Sequence, residues 1–262
     1  MPDTNETTAT SRSADGTELA YSREGSGRPL VMIHCVGVSR ATTPQPTLRS
    51  ALAERATVFE YDRRGKGESG GGVLPREQVL DRELEDLAAI IDAAGGEADV
   101  YGFSSGATLA LLAAKAGLPI RRLAILEPPL MPADDGTLRT ELERILESDG
   151  PAAAHAWFMR AIVGVPDEVA AQLPPLGDED LRNAPTLAHE LTFLPGTEAS
   201  DFAQLETPTL VILSDQTAPV IGECADALDA ASDAIRAIRV PGSWHGVDDA
   251  TLARTMADFL ER

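Results

Sequence analysis

Cysteine and lysine are scarce in this chain, and long apolar runs are missing. Its 262 residues hold two cysteines, Cys35 and Cys224, which lack metal-ligand spacing and cannot form a disulfide framework. No structural metal is expected, and Cys224, which falls on a helical pattern, reads as a small buried apolar side chain. Lysine occurs only as Lys66 and Lys115; Lys and Arg together number 22 against 42 Asp and Glu, a net charge of −20. Nucleic acid and anionic membrane surfaces would repel such a chain, so neither is expected as a partner. The acidity reads as a solvated surface. No run of about 18 apolar residues exists, so no membrane-spanning helix is expected. Residues 1–13 are polar and Thr-rich, without the basic and apolar regions of a signal peptide. Residues 1–14 are therefore read as a flexible tail, and the chain as cytoplasmic.

What is present is a regular alternation of strand and helix signals, on a chain long enough for one large core. Strands are expected at Leu19–Arg23, Pro29–Ile33, Thr57–Tyr61, Ala98–Tyr101, Arg122–Leu126, Thr209–Leu213 and Ile235–Val240. Between Glu77 and Ala94, apolar residues at Val79, Leu80, Leu84, Leu87, Ile90 and Ile91 follow helical spacing, and Gly95-Gly96 stops the helix. Further helices are expected up to Gly117, around Gly222–Ala231 and from Asp248 to Leu260. Such alternation implies right-handed crossovers and an α/β fold, a doubly wound, mainly parallel sheet. From Pro128 to about Glu206 the pattern breaks into helical patches separated by prolines. The core is accordingly expected at 15–130 and 205–262, with a helical cap insertion at 131–204.

Chemistry concentrates in Gly102-Phe103-Ser104-Ser105-Gly106, where a strand should turn into a helix. A G-x-S-x-G there reads as a nucleophile elbow, with Ser104 held in a strained, exposed turn and the following helix directing its free N–H groups at the same spot. A serine hydroxyl needs a base. Of the four histidines, His34, His155, His189 and His245, the last sits in the loop Pro241–Gly246 after the final strand, where a doubly wound fold would deliver a base to the carboxyl ends of its strands. Two carboxylates could orient that base. Asp215 follows the strand at 209–213, and Glu127 ends the strand at 122–126, a position that points into the crevice. Backbone N–H groups of Ser105 and of Val36, in the loop after the second strand, are the candidate oxyanion donors. Trp157, Phe158, Ile162 and Phe193 are the candidate substrate-binding residues of the cap, forming an apolar acyl or ring pocket.

Four stretches together resemble the α/β-hydrolase fold superfamily along residues 19–260: the His34 loop, Asp62-Arg63-Arg64-Gly65-Lys66-Gly67-Glu68-Ser69, the elbow, and Pro241–Gly246. The resemblance implies a serine hydrolase cleaving a small hydrophobic ester or lactone, with a small-molecule substrate as partner and no cofactor. Members that place a glutamate after the sixth strand, zearalenone-type lactone hydrolases among them, resemble Leu126-Glu127-Pro128-Pro129, so the likeness implies Glu127 as triad acid, with Asp215 the alternative. Cys35 stands where most members carry glycine. Perhydrolase, C–C hydrolase and thioester hydrolase chemistry on the same triad, or a low-turnover binding protein, are the alternatives implied, and a homodimer is the assembly left open.

Overall fold

The computed structural model describes residues 7–171 and 174–261. Eight strands form one sheet: β1 (Thr7–Arg12), β2 (Glu18–Gly25), β3 (Arg28–Ile33), β4 (Ala56–Tyr61), β5 (Ala98–Phe103), β6 (Ile120–Leu126), β7 (Thr209–Ser214) and β8 (Ile235–Val240). Their spatial order is β1-β2-β4-β3-β5-β6-β7-β8, antiparallel from β1 through β4 and parallel thereafter. The helices are α1 (Leu48–Ala53), α2 (Val79–Ala93), α3 (Ser105–Lys115), α4 (Thr137–Ser148), α5 (Pro151–Ala161), α6 (Asp167–Ala170), α7 (Asp178–Asn183), α8 (Leu187–Phe193), α9 (Pro219–Ala231) and α10 (Asp249–Leu260). The fold is a doubly wound α/β sheet.

Period-two alternation divides the core between the two faces of the sheet. Val31, Ile33, Leu123 and Ile125 pack with Leu87 and Ile91 of α2, Leu109 of α3 and Leu228 of α9. Their neighbours Leu30, Met32, Ala124 and Leu126 face the other way, onto Leu48 and Leu52 of α1 and Leu252 and Met256 of α10. Helix α2 stops where Gly95 and Gly96 take positive φ, and α10 is capped by Asp248, whose side chain accepts the Thr251 N–H at 2.9 Å.

Between β6 and β7 the described chain is helical. Leu142, Ile145, Ala154, Phe158, Leu187 and Leu191 of α4, α5 and α8 form a cluster of their own. The base of this insertion is pinched shut by a bridge between Met131 and Pro195, with the Gly196 N–H donating to the Met131 carbonyl at 3.0 Å.

The N-terminal expectation needs correction. Residues 7–12 of the expected flexible tail form β1, paired antiparallel with β2, and the Ser11 hydroxyl donates to the Ala89 carbonyl of α2 at 3.0 Å. As an edge strand covered on one side only, β1 needs no apolar alternation; threonine's strand preference and main-chain pairing suffice. Residues 1–6 of that tail lie outside the described residues. Among the described residues, no helix is long and apolar enough to cross a membrane.

Candidate active site

The elbow is built by exclusion of side chains. A Cβ on Gly102 would stand 2.6 Å from the Gly106 carbonyl oxygen, and a Cβ on Gly106 would stand 2.6 Å from the carbonyl oxygens of both Ile33 and His34. Only glycine lets β5 turn into α3 this tightly beneath the end of β3. Ser104, at the turn, has φ 53° and ψ −120°, and its N–H is tied to the Leu126 carbonyl at 2.9 Å. That backbone conformation costs about 1–3 kcal/mol and persists because the turn around it is over-determined.

Two more non-glycine residues share this rare geometry. Among the described residues, Ser104, Glu127 (φ 49°) and His245 (φ 53°) are the three with positive φ. They also meet in space. His245 Nε2 lies 2.9 Å from Ser104 Oγ, and His245 Nδ1 lies 2.7 Å from Glu127 Oε2. The His245 loop is closed by reciprocal Ser243–Gly246 backbone bonds of 2.9 Å each. Gly242 in that loop has no room for a side chain, because a Cβ there would come within 2.4 Å of the Gly246 carbonyl oxygen.

Glu127 is wholly buried. Burial alone would raise its carboxyl, but hydrogen bonds from His245 and from the Ser214 backbone N–H, the latter at 2.9 Å, outweigh it and hold the group below the usual carboxylate range. An ionised carboxylate only accepts, so the imidazole proton sits on Nδ1 and the Nε2 lone pair faces the serine hydroxyl. This arrangement can take a proton from Ser104 and stabilise the imidazolium that results.

Asp215 is placed otherwise. Its side chain is exposed, and its carboxylate accepts the Gly242 N–H at 3.1 Å, so it braces the loop that carries His245. Sequence reasoning missed the backbone N–H of Ser214 as the partner that locks Glu127. Strand register held the signal: Leu126 pairs with Ile212, so Glu127, just past the end of β6, runs beside the last residues of β7, Leu213 and Ser214. His34 and His189 are buried elsewhere, His34 Nε2 lying 2.8 Å from Glu60 Oε1 and His189 Nε2 accepting the Leu74 N–H at 3.0 Å, while His155 lies on α5. Burial pushes the Cys35 thiol up to about 12, so this side chain packs in the core as a neutral group.

A cavity of about 330 Å³ opens onto the serine. Both candidate oxyanion donors, Val36 and Ser105, line it. Ser105 is the first residue of α3, so its N–H has no acceptor within the helix. Its hydroxyl is also buried, without a partner among the described residues. The walls are apolar, with Leu130, Phe158, Ile162, Ile221 and Trp244 prominent, and among the described residues the lining contains no Lys or Arg. Phe158 and Ile162 therefore stand on the cavity. Trp157 and Phe193 do not, which corrects their expected place in the pocket. Trp157 packs against the helical cluster of the insertion. Phe193 is buried in the sheet-side core with the Arg63 guanidinium 5.8 Å above its ring, because α8 turns that face toward the sheet.

Known proteins share this fold. The model of the alpha/beta hydrolase family matches residues 30–257. A putative carbamate hydrolase, RutD, from Azorhizobium caulinodans is 30% identical over 218 residues, 78% of each chain. The crystal structure of an alpha/beta hydrolase from Sphaerobacter thermophilus superposes with a TM-score of 0.87 at 36% identity, covering 96% of this chain and all of that one. A thermophilic esterase from Thermogutta terrifontis shares the fold at TM-score 0.75 and 19% identity, over 97% and 98% of the two chains.

Proposed function

The chain belongs to the alpha/beta hydrolase family and is a hydrolase, and from that premise we propose that it cleaves a small, uncharged, apolar carboxylic ester or lactone through an acyl-enzyme on Ser104. One observation carries the reading: an unbroken hydrogen-bonded chain, Ser104–His245–Glu127, with links of 2.9 and 2.7 Å, opening into an apolar cavity.

In the proposed reaction Ser104 Oγ attacks the substrate carbonyl carbon as its proton passes to His245 Nε2. The N–H groups of Val36 and Ser105 receive the developing oxyanion. The imidazolium, its charge balanced by Glu127, protonates the leaving alkoxide, and the C–O bond breaks. Water enters, gives a proton to His245 and attacks the acyl carbon; the acid departs and the proton returns to Ser104. A cavity whose lining among the described residues holds no Lys or Arg cannot neutralise a substrate carboxylate, which selects for neutral substrates. A carbamate carbonyl can use the same machinery, and the relative described as a putative carbamate hydrolase supports that second reading.

A panel of neutral aryl ester, lactone, thioester, carbamate and carboxylate-bearing ester, run on wild type and Ser104→Ala, tests the proposal. Turnover of the neutral ester or lactone is expected to be highest, the carboxylate-bearing ester poorest, and Ser104→Ala to lose about 10⁴-fold or more in kcat with its melting temperature preserved. Unchanged turnover in Ser104→Ala would sink the proposal. A carbamate preferred over every ester would move the assignment to the second reading.

A further inference from the structure

The loop that follows β3 and presents Val36 to the cavity is gripped from two sides. On the core side, Gly106 packs beneath the Ile33 and His34 carbonyls, and the His34 ring is buried with Nε2 2.8 Å from Glu60 Oε1. The outer arm, residues 37–39, is held by the insertion. Asn183, at the end of α7 and 2% exposed, donates from Nδ2 to the Gly37 carbonyl at 3.1 Å, while its Oδ1 accepts the Gly67 N–H at 3.4 Å. One turn earlier on the same helix, Glu179 accepts the hydroxyl of Ser39, a residue with no exposed surface. One turn later, Leu187 Cδ2 would lie 3.5 Å from a Cβ placed on Gly37. Residues 179, 183 and 187 are four apart, and α7 runs into α8 through a single 3-10 turn at Ala184–Thr186, so they present one face. That face meets the loop at Gly37 and Ser39.

Gly37 has φ 69°, a conformation that needs no side chain but does need a partner to hold it against alternatives. Within the loop itself the Val38 N–H reaches the Cys35 carbonyl only at 3.4 Å, a weak closure. The amide of Asn183 supplies the stronger constraint, one residue beyond Val36.

We propose that Asn183 is a positioning residue for the reaction: its side-chain amide, reaching out of the insertion, fixes the loop that aims the Val36 N–H at the oxyanion. This rests on the assignment of Val36 and Ser105 as donors. Because a donor must already stand where charge develops, a loop free to shift loses transition-state stabilisation while ground-state binding in the cavity is kept.

The test uses Asn183→Ala, Asn183→Asp and Ser39→Ala in the full chain, with hydrogen exchange of residues 33–39 read by mass spectrometry beside steady-state kinetics. Asn183→Asp retains an acceptor for the Gly67 N–H but has no donor for the Gly37 carbonyl, so it isolates the loop bond. In both Asn183 variants exchange at residues 36–39 is expected to rise about tenfold, kcat for a neutral aryl ester to fall about tenfold with KM within twofold, and fluorophosphonate labelling to slow in parallel. Ser39→Ala, which releases the neighbouring contact, is expected to give a smaller change in the same direction. Unchanged loop exchange in both Asn183 variants overturns the proposal, as does faster exchange with kcat within twofold, or a KM that rises as much as kcat falls. If wild type is not labelled by the fluorophosphonate, the serine-hydrolase assignment falls and the catalytic role of Asn183 with it. The exchange measurement still decides separately whether Asn183 holds the loop.

Discussion

Backbone strain singles out three residues, and they are the three that touch one another. Positive φ at Ser104, Glu127 and His245 places each side chain at an angle ordinary strand or helix geometry would not allow. Glu127 shows what this gains: at the end of β6 it is fully buried yet ionised, with one carboxylate oxygen on His245 and the other on the Ser214 N–H. Asp215, one residue past Ser214, is spent on the Gly242 N–H. Glu127→Gln is expected to lower kcat by about 10³–10⁴-fold, because an amide cannot balance the imidazolium and can select the wrong tautomer. Asp215→Asn should stay within about threefold, since its side-chain oxygen can still accept from Gly242. Kinetics of the two variants on one ester decide between them; a large loss in Asp215→Asn alone would exchange the roles. Of these residues, Ser104 and His245 were legible because the elbow and the last loop have local signatures. Glu127 is distinguished from Asp215 only by the direction a residue takes on leaving a core strand, and Asn183 has no local signature at all. It is a polar residue on an acidic helix whose partners, Gly37 and Gly67, lie more than a hundred positions away.

At the level of elements, the insertion is tied to the core by buried charge. Arg63, just after β4, sits between Glu83 of α2, at 3.0 and 2.7 Å, and Glu190 of α8, at 2.7 Å; Lys66 reaches the same Glu190 oxygen at 3.3 Å. All four side chains have no exposed surface. Burial pushes the Lys66 amine down, with the Arg63 charge adding to the effect, while burial opposes and the two carboxylates favour the Arg63 cation. Two cations thus face two carboxylates, and removing one leaves a charge uncompensated. Glu190→Gln is expected to cost about 3–5 kcal/mol, on the order of a ten-degree fall in melting temperature for a chain of this size. Glu18→Gln, which breaks a pair whose side chains are 70% and 56% exposed, should move it by no more than about a degree. Thermal melts of both variants check this; a shift below about two degrees in Glu190→Gln would mean the network is not holding the insertion. These elements were unevenly legible. Strands β3 to β7 announced themselves as mainly apolar segments because both faces of the sheet are covered there. Strand β1, with Thr-Thr-Ala-Thr-Ser-Arg, and the six-residue α1 did not, since an edge strand and a short helix bury too little to leave a pattern. The buried ionic cluster was invisible for the opposite reason: Asp62 to Ser69 reads as a polar loop until α8 closes over it.

For the whole molecule, most of the net charge of −20 is carried on the surface, because the buried cations Arg63, Arg64 and Lys66 sit on carboxylates that are buried with them. Two pH effects of opposite sign then compete. As pH falls from 8 toward the sequence pI of about 4.5, self-repulsion among exposed carboxylates is relieved, which stabilises the folded chain. Asp86 and Asp99 act in the same direction: burial raises both carboxyls, so the folded state gains relative to the unfolded one as they protonate. Against this stand Glu83, where burial is outweighed by Arg63, Asp15, held down by its hydrogen bond from Arg64, and Glu127. A carboxylate whose folded value is depressed contributes stability above its unfolded pKa of about 4, and that contribution drains away as pH drops below it. Melting temperature is therefore expected to rise from pH 8 to a maximum near pH 5–6 and to fall steeply below about pH 4. Salt separates the two effects. At pH 8, raising ionic strength from about 0.01 to 0.3 M shortens the Debye length several-fold and should raise the melting temperature, whereas near pH 5 the same addition should change it little. Melts on a grid of pH and sodium chloride test this directly. A melting temperature insensitive to salt at pH 8 would show that surface repulsion is not what limits stability there, and would leave the buried carboxylates alone to set the pH profile.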